Sequence, residues 1–170
     1  MSDTEATVLS GTGGVWAVID AAGAQHEAAL RGRLKQDGNA KLAVGDRVTI
    51  ARDARDGAWA ITLIHPRTSV LARRAPGGAR GERIVAANVD QVVVVFAAAK
   101  PEPHVRMLDR FLVVAEGNDI AARIVFNKVE LVDPATVDAL AAPYERAGYP
   151  VHRTSVKQPA GLREIGRAHV

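Results

Sequence analysis

Two textures divide this sequence, and together they predict a small β-barrel followed by part of an α/β domain. From Val8 to about Ile64, short β-branched or aromatic segments are broken by turn residues and show no helical periodicity. From Asn88 onward, continuous apolar runs alternate with stretches of helical spacing, the pattern of a parallel sheet covered by helices.

Residues 1 to 7 are polar and are expected to fray. Val15 to Ile19 is the first clear strand, and Asp20 to Gly23 follows as a turn. Gln25 to Leu30 is a second strand, leading into the basic Arg31-Gly32-Arg33. Val44 to Ile50 reads as turn then strand, and Trp59 to Ile64 is another strand after Asp56-Gly57. Four or five short strands at this spacing imply a barrel over residues 8–68. An oligonucleotide-binding type is the first choice and an SH3-like barrel the second. In a chain so poor in aromatic residues, Trp16 and Trp59 are assigned to the core rather than to base stacking.

Residues 69–85 read as a basic linker. The wider stretch from His65 to Ala87 is rich in Arg, Gly and Ala, contains Pro76-Gly77-Gly78, and is expected to be poorly ordered without a partner. Arg67, Arg73, Arg74, Arg80 and Arg83 face only Glu82 between His65 and Arg83, a local +4 that exceeds the +3 of the whole chain.

The α/β part is placed at 86–163. Val89 to Ala99 is a continuous apolar strand, broken by Pro101 and Pro103. Val105, Leu108, Phe111, Leu112 and Ala115 then recur at helical spacing, and Gly117 closes that helix. Ala121 to Phe126 is the second strand. Asp133 caps a further helix with Pro134 at its first position, and Val137, Leu140, Ala141 and Tyr144 supply its apolar stripe. Pro143 is expected to kink or shorten this helix, and Gly148 to end it. Tyr149 to Arg153 is a third strand. Residues 164–170 resemble a translated sequencing adapter, and on that reading the tail carries no information about fold or function.

Bulk properties narrow the function classes. The chain has 170 residues, 48% apolar and 24% charged, values of an ordinary globular protein. It has no cysteine, which excludes disulfides and thiolate metal sites and points to the cytoplasm. Its longest apolar run, Val92 to Ala99, is too short to span a bilayer, so no membrane partner is expected. Its five His show no ligand spacing, and no pair of carboxylates or Ser/His/Asp set suggests other hydrolytic chemistry.

The most informative stretch is Ile124 to Asp133, where an apolar run ends in Asn127-Lys128-Val129-Glu130. A buried parallel strand delivers polar side chains in this way to its carboxyl end, where open α/β sheets bind ligands. The residue types suit guanine. An Asn amide meets the O6/N7 edge, a Lys stem lies along the base, and a carboxylate accepts the N1 and N2 protons together. Adenine has no such donor pair, and leaving a buried acid unpaired against it can discriminate by roughly 10⁴-fold. Alone, the four residues read equally well as a solvated strand-to-helix loop. Ser155-Val156-Lys157, at the end of the next strand, supplies a second loop in the right order.

These loops resemble the Asn-Lys-x-Asp and Ser-Ala-Lys motifs of GTPases, with Glu130 where Asp is usual. No Gly-x-x-x-x-Gly-Lys-Ser/Thr phosphate loop precedes them or occurs anywhere in the chain. The circularly permuted ribosome-assembly GTPases, the ribosome small-subunit-dependent GTPase A group, place the guanine loops first. The resemblance to that family runs from about Gly11 to Leu162. It rests on Val44-Gly45-Asp46-Arg47-Val48, His65 to Arg74, Ala86 to Gln91, Leu108 to Leu112 and the two guanine loops.

The resemblance implies an oligonucleotide-binding barrel joined to the first part of a permuted GTPase domain. It also implies GTP/GDP binding through Asn127, Lys128, Glu130, Ser155, Val156 and Lys157. The family acts on the small ribosomal subunit late in its maturation, which implies rRNA as a partner. Arg67, Arg73, Arg74, Arg80 and Arg83 then become RNA contacts. Mg2+ and a structural zinc are expected only in a carboxyl-terminal part absent here, and no catalytic residue or metal ligand is assigned within these residues. The chain by itself is accordingly expected to be an inactive, monomeric fragment. The alternative is a non-catalytic RNA-binding protein with an α/β appendage. A flavodoxin-like enzyme is disfavoured because no glycine-rich loop follows the first α/β strand.

Overall fold

A computed structural model describes residues 3–31, 34, 42–54, 56–74 and 82–157. The chain forms two compact units, Met1–Val89 and Asp90–Val170.

In the first unit, five strands close a barrel: β1 (Thr4–Thr12), β2 (Val15–Asp20), β3 (Gln25–Leu30), β4 (Arg47–Arg52) and β5 (Trp59–Ile64). Their order is β1-β2-β3-β5-β4, with β4 returning to β1, and only β3 and β5 run parallel. This five-stranded closed order is that of the oligonucleotide-binding barrel, the first of the two sequence choices. Ala6, Val8, Val18, Ala28, Val48, Ile50 and Ile61 fill its interior, with Trp16 and Trp59 packed partly against them.

The expectation that residues 1 to 7 fray is overturned for Thr4–Thr7, while residues 1 and 2 lie outside the described residues. Thr4–Thr7 pair with Ile50–Arg47 and close the barrel. The alternation of Ala6 and Val8 inward is short and flanked by polar residues. Its value as a strand comes from pairing with β4, distant in sequence, on the side that β2 leaves open, which local composition does not reveal.

The linker expectation is also corrected. Val70–Arg74 (β6) and Glu82–Ala87 (β7) pair as an antiparallel hairpin, while 75–81 lie outside the described residues. The Arg, Gly and Ala content obscured Val70, Leu71, Ile84 and Val85, which suit a pleated surface. The hairpin root is tied to the barrel. The Ala87 amide donates to the Val44 carbonyl at 2.8 Å, and Asn88 Nδ2 to the Gly45 carbonyl at 2.9 Å. Gly45 has φ +86°, and a Cβ there would collide with the Ala87 carbonyl oxygen, so glycine is required twice over.

In the second unit three parallel strands, β8 (Gln91–Ala97), β9 (Ala121–Asn127) and β10 (Val151–Thr154), lie in the order β10-β9-β8. Helices α1 (Val105–Glu116) and α2 (Pro134–Arg146) contribute Leu108, Leu112, Ala115, Val137 and Ala141 to a core with Val94, Ile124 and Phe126. Within the anticipated stripe of α1, Val105 and Phe111 are exposed, at its margins. Asp133 caps α2 as expected, its Oδ1 accepting from the Ala135 amide at 2.8 Å, with Pro134 in the first turn. Pro143 does not shorten α2, which continues to Arg146. The bond lost at the proline is offset by burial of Val137 and Ala141 and by the Tyr144 hydroxyl, which donates to Asp109 on α1 at 2.8 Å. Residues 164–170 lie outside the described residues.

Candidate functional site

The carboxyl ends of the three parallel strands gather the sequence-predicted residues Asn127, Lys128, Glu130 and Ser155. Asn127 is the last residue of β9, in register with Ala97 of β8 and Thr154 of β10. Its carbonyl accepts from the Ala98 amide at 2.7 Å, and its side-chain Oδ1 accepts from Thr154 Oγ1 at 3.2 Å. Oδ1 keeps a second lone pair, so it and the amide NH2 group are both able to meet a ligand.

The chain turns sharply at Lys128, whose φ of +61° is left-handed. Its Nζ donates to the Lys100 carbonyl at 2.8 Å, tying the loop after β8 to the loop after β9. A single 3₁₀ turn, Val129–Leu131, then carries Glu130. A hydrogen bond from the Ser155 side chain holds the Glu130 carboxyl below its usual range, and the charges of Lys157 and Lys128 act in the same direction. Ser155 is 1% exposed. Glu130 Oε2 is itself buried and has no hydrogen-bond partner among the described residues. Such an orphan acceptor demands an explanation, because an unpaired buried oxygen destabilises the fold. Val156 is 73% exposed, and Lys157 is exposed as well, so both lie at the rim.

The predicted RNA contacts are distributed differently. Arg73 and Arg83 are exposed and stand directly opposite one another on the β6–β7 hairpin. Arg74 is in register with Glu82, and Arg80 lies outside the described residues. Arg67 forms a forked ion pair with the fully buried Asp46, through Nε at 2.6 Å and Nη2 at 2.8 Å. It serves there as the counter-ion of the barrel.

Thr154 is the site residue that the sequence reading passed over. The available signal was its place one residue before Ser155, at the strand position that pairs with Asn127. Among the described residues, no group of three or more His, Asp or Glu could hold a metal ion, and no helix is long and apolar enough to cross a membrane.

The sequence profile of the RsgA GTPase family matches residues 64–168. The chain is 60% identical, over 96% of its length, to the small ribosomal subunit biogenesis GTPase RsgA of Gemmatimonas aurantiaca, and covers 54% of that protein. It is 43% identical, over 75% of its length, to the protein of the same name from Azotobacter vinelandii, of which it covers 37%. Among solved structures, it resembles YjeQ from Thermotoga maritima with a TM-score of 0.75 and 30% identity, covering 97% of this chain and 56% of that one. It also resembles YloQ, described as a circularly permuted GTPase, with a TM-score of 0.70 and 29% identity over 96% of this chain and 55% of that one. The chain thus spans about half the length of several relatives it matches.

Proposed function

Because this chain belongs to the RsgA GTPase family, we propose that it forms the base-reading and RNA-contacting portion of a GTP-hydrolysing factor for small ribosomal subunit biogenesis. On this reading the protein acts in the cytoplasm, as a monomer, on the maturing subunit and its rRNA. GTP and GDP are bound at the carboxyl ends of β8, β9 and β10. Asn127 donates to the O6/N7 edge, Lys128 packs its stem along the base, and Glu130 accepts from N1 and N2. Ser155, Val156 and Lys157 close the site from the β10 side.

The observation that carries this reading is the buried Oε2 of Glu130, unpartnered among the described residues, in the loop that follows Asn127 at the end of a parallel sheet. Glu130 is one methylene longer than Asp, and the Ser155 hydrogen bond supports its carboxylate despite the extra length. Titration of the full-length protein with GDP and ADP, for the parent, Glu130→Asp and Glu130→Ala, tests it. GDP preference should survive in Glu130→Asp and collapse in Glu130→Ala. A Glu130→Ala protein that binds GDP as tightly as the parent would remove the carboxylate from base reading.

P-loop GTPases hold the phosphates with a Lys-bearing glycine-rich loop, and none of these 170 residues forms that motif. We therefore assign hydrolysis, Mg2+ and zinc to chain outside this sequence, and expect the 170-residue chain to show no GTP turnover above background. RNA contact is assigned to the β6–β7 hairpin. Two arginines directly opposite one another repel, and a polyanion relieves that repulsion.

A further inference from the structure

The β6–β7 hairpin is a two-stranded sheet, and two strands alone are marginally stable in water. Its placement therefore depends on how its root is held. Three segments meet there around Asn88. Its Oδ1 accepts from the Thr68 amide at 2.9 Å and from Thr68 Oγ1 at 3.1 Å, just before β6. Its Nδ2 donates to the Gly45 carbonyl at 2.9 Å, and the Gly45 amide donates to the Val8 carbonyl of β1 at 2.8 Å. The Asn88 amide adds a bond to the Ser69 carbonyl at 2.9 Å, and Ser69 Oγ donates to the Val89 carbonyl at 2.8 Å. These partners fix the orientation of the side-chain amide, since the Thr68 N–H can only donate and the Gly45 carbonyl can only accept.

The backbone at Asn88 is left-handed, with φ +53°, a region that Gly, Asn and Asp enter most readily. Gly offers no side-chain bond. An Asp carboxylate would hold Thr68 but has no donor for the Gly45 carbonyl. The Thr68 bonds close the hairpin, and the Gly45 bond fastens it to the barrel. Of the three residue types, only Asn does both. We propose that Asn88 is a positioning residue for RNA contact, one that fixes the β6–β7 hairpin on the barrel so that Arg73 and Arg83 and the barrel meet RNA as one surface. A hairpin free to swing must give up that freedom on binding, whereas a hairpin already fixed does not. The proposal rests on the RNA-contacting role assigned above to the hairpin.

The test is a double-mutant cycle on the full-length protein, read as affinity for protein-free small-subunit rRNA. Asn88→Gly keeps the left-handed turn and removes all three side-chain bonds. It should lower affinity by roughly five- to tenfold in the parent, the scale of one ordering step. In a protein that already carries Arg73→Ala and Arg83→Ala, it should change affinity by less than about twofold, since the hairpin then has nothing to place. The backbone amides of Glu82–Ala87 should also exchange faster with solvent in Asn88→Gly. A merely structural role would lower affinity by the same factor in both backgrounds. Should Asn88→Gly not fold, Asn88→Asp enters the same cycle, and the effect of its added charge is common to both backgrounds.

Equal factors in the two backgrounds would overturn the proposal, and so would parental affinity in Asn88→Gly. Loss of folding in both Asn88 variants would also overturn it, by making the joint a requirement of the barrel itself. The arginine replacements separate the two levels. If they weaken RNA binding and flatten its salt dependence while Asn88→Gly changes nothing, only the positioning role fails. If they bind RNA as the parent does, RNA contact by the hairpin fails, and the positioning role fails with it.

Discussion

Two carboxylates, one in each unit, are finished in opposite ways. Asp46 in the barrel is fully buried, and both its oxygens are occupied. Oδ1 takes Arg67 Nε at 2.6 Å, and Oδ2 takes Arg67 Nη2 and the Ala43 amide, each at 2.8 Å. Glu130 at the sheet end has a hydrogen bond from Ser155, yet its buried Oε2 has no partner among the described residues. The protein completes the Asp46 carboxylate, whereas on the proposed reading the open Oε2 of Glu130 is kept as an acceptor for a base. The contrast follows from the cost of burying an unpaired oxygen, a cost the fold avoids at Asp46 and tolerates at Glu130.

The largest effect that would break this comparison is at Arg67. Arg67→Ala leaves Asp46 buried without its cation and should destabilise the barrel by about 3–5 kcal/mol. Urea denaturation followed by tryptophan fluorescence measures it selectively, because Trp16 and Trp59 both lie in the barrel unit. A loss below about 1 kcal/mol would mean that Asp46 does not depend on Arg67 for its burial.

Gly45 sharpens the same point about the barrel's completed joint. Gly45→Ala combines a left-handed backbone with a collision against the Ala87 carbonyl, and about 2–4 kcal/mol is expected. Gly57→Ala, at φ +70° with nothing within 4 Å, should cost only the backbone strain of about 1–2 kcal/mol. Equal losses in the two variants would remove the close hairpin approach from the account.

Glu130 should behave in the reverse manner to Asp46. Glu130→Ala is expected to lower GDP affinity by roughly tenfold or more while leaving the denaturation midpoint unchanged or slightly raised. Glu130→Asp should stay within about tenfold of the parent. A Glu130→Ala protein that loses stability but keeps GDP affinity would make this a structural carboxylate like Asp46.

On the hairpin, replacing Arg73 and Arg83 together should flatten the salt dependence of small-subunit RNA binding by about 0.7–0.9 per lost contact, as plotted logarithmically. An unchanged slope would leave the hairpin without a phosphate role.

The smallest expected effect lies between the helices. Burial, together with the hydrogen bond to Asp109, pushes the Tyr144 phenol up to about 12 from 10.0. Its folded value is above its unfolded one, so its contribution to stability is complete below pH 10 and is lost as pH rises through about 12. Ultraviolet titration of phenolate absorbance, comparing the parent with Tyr144→Phe, should show this late ionisation. A Tyr144 that titrates near 10 would deny the α1–α2 bond.

Periodicity and turn chemistry in the sequence by themselves determined most of the elements. The apolar runs of β8 and β9, the spacing of Leu108, Leu112 and Ala115, and the Asp133-Pro134 helix start depend on neighbours within a few residues, and so they are legible locally. The same holds for the order of Asn127, Lys128, Glu130 and Ser155, since successive parallel strands bring their carboxyl ends to one edge.

Only the tertiary structure decided the strand role of Thr4–Thr7, the hairpin of Val70–Arg74 with Glu82–Ala87, and the pairing of Asp46 with Arg67, 21 residues apart. It also decided that Thr154 meets Asn127, 27 residues away, and that Oε2 of Glu130 is buried with no partner among the described residues. These features arise from contacts between segments distant in sequence, where the free energy of burial and of hydrogen-bond completion depends on the partner and not on local propensity.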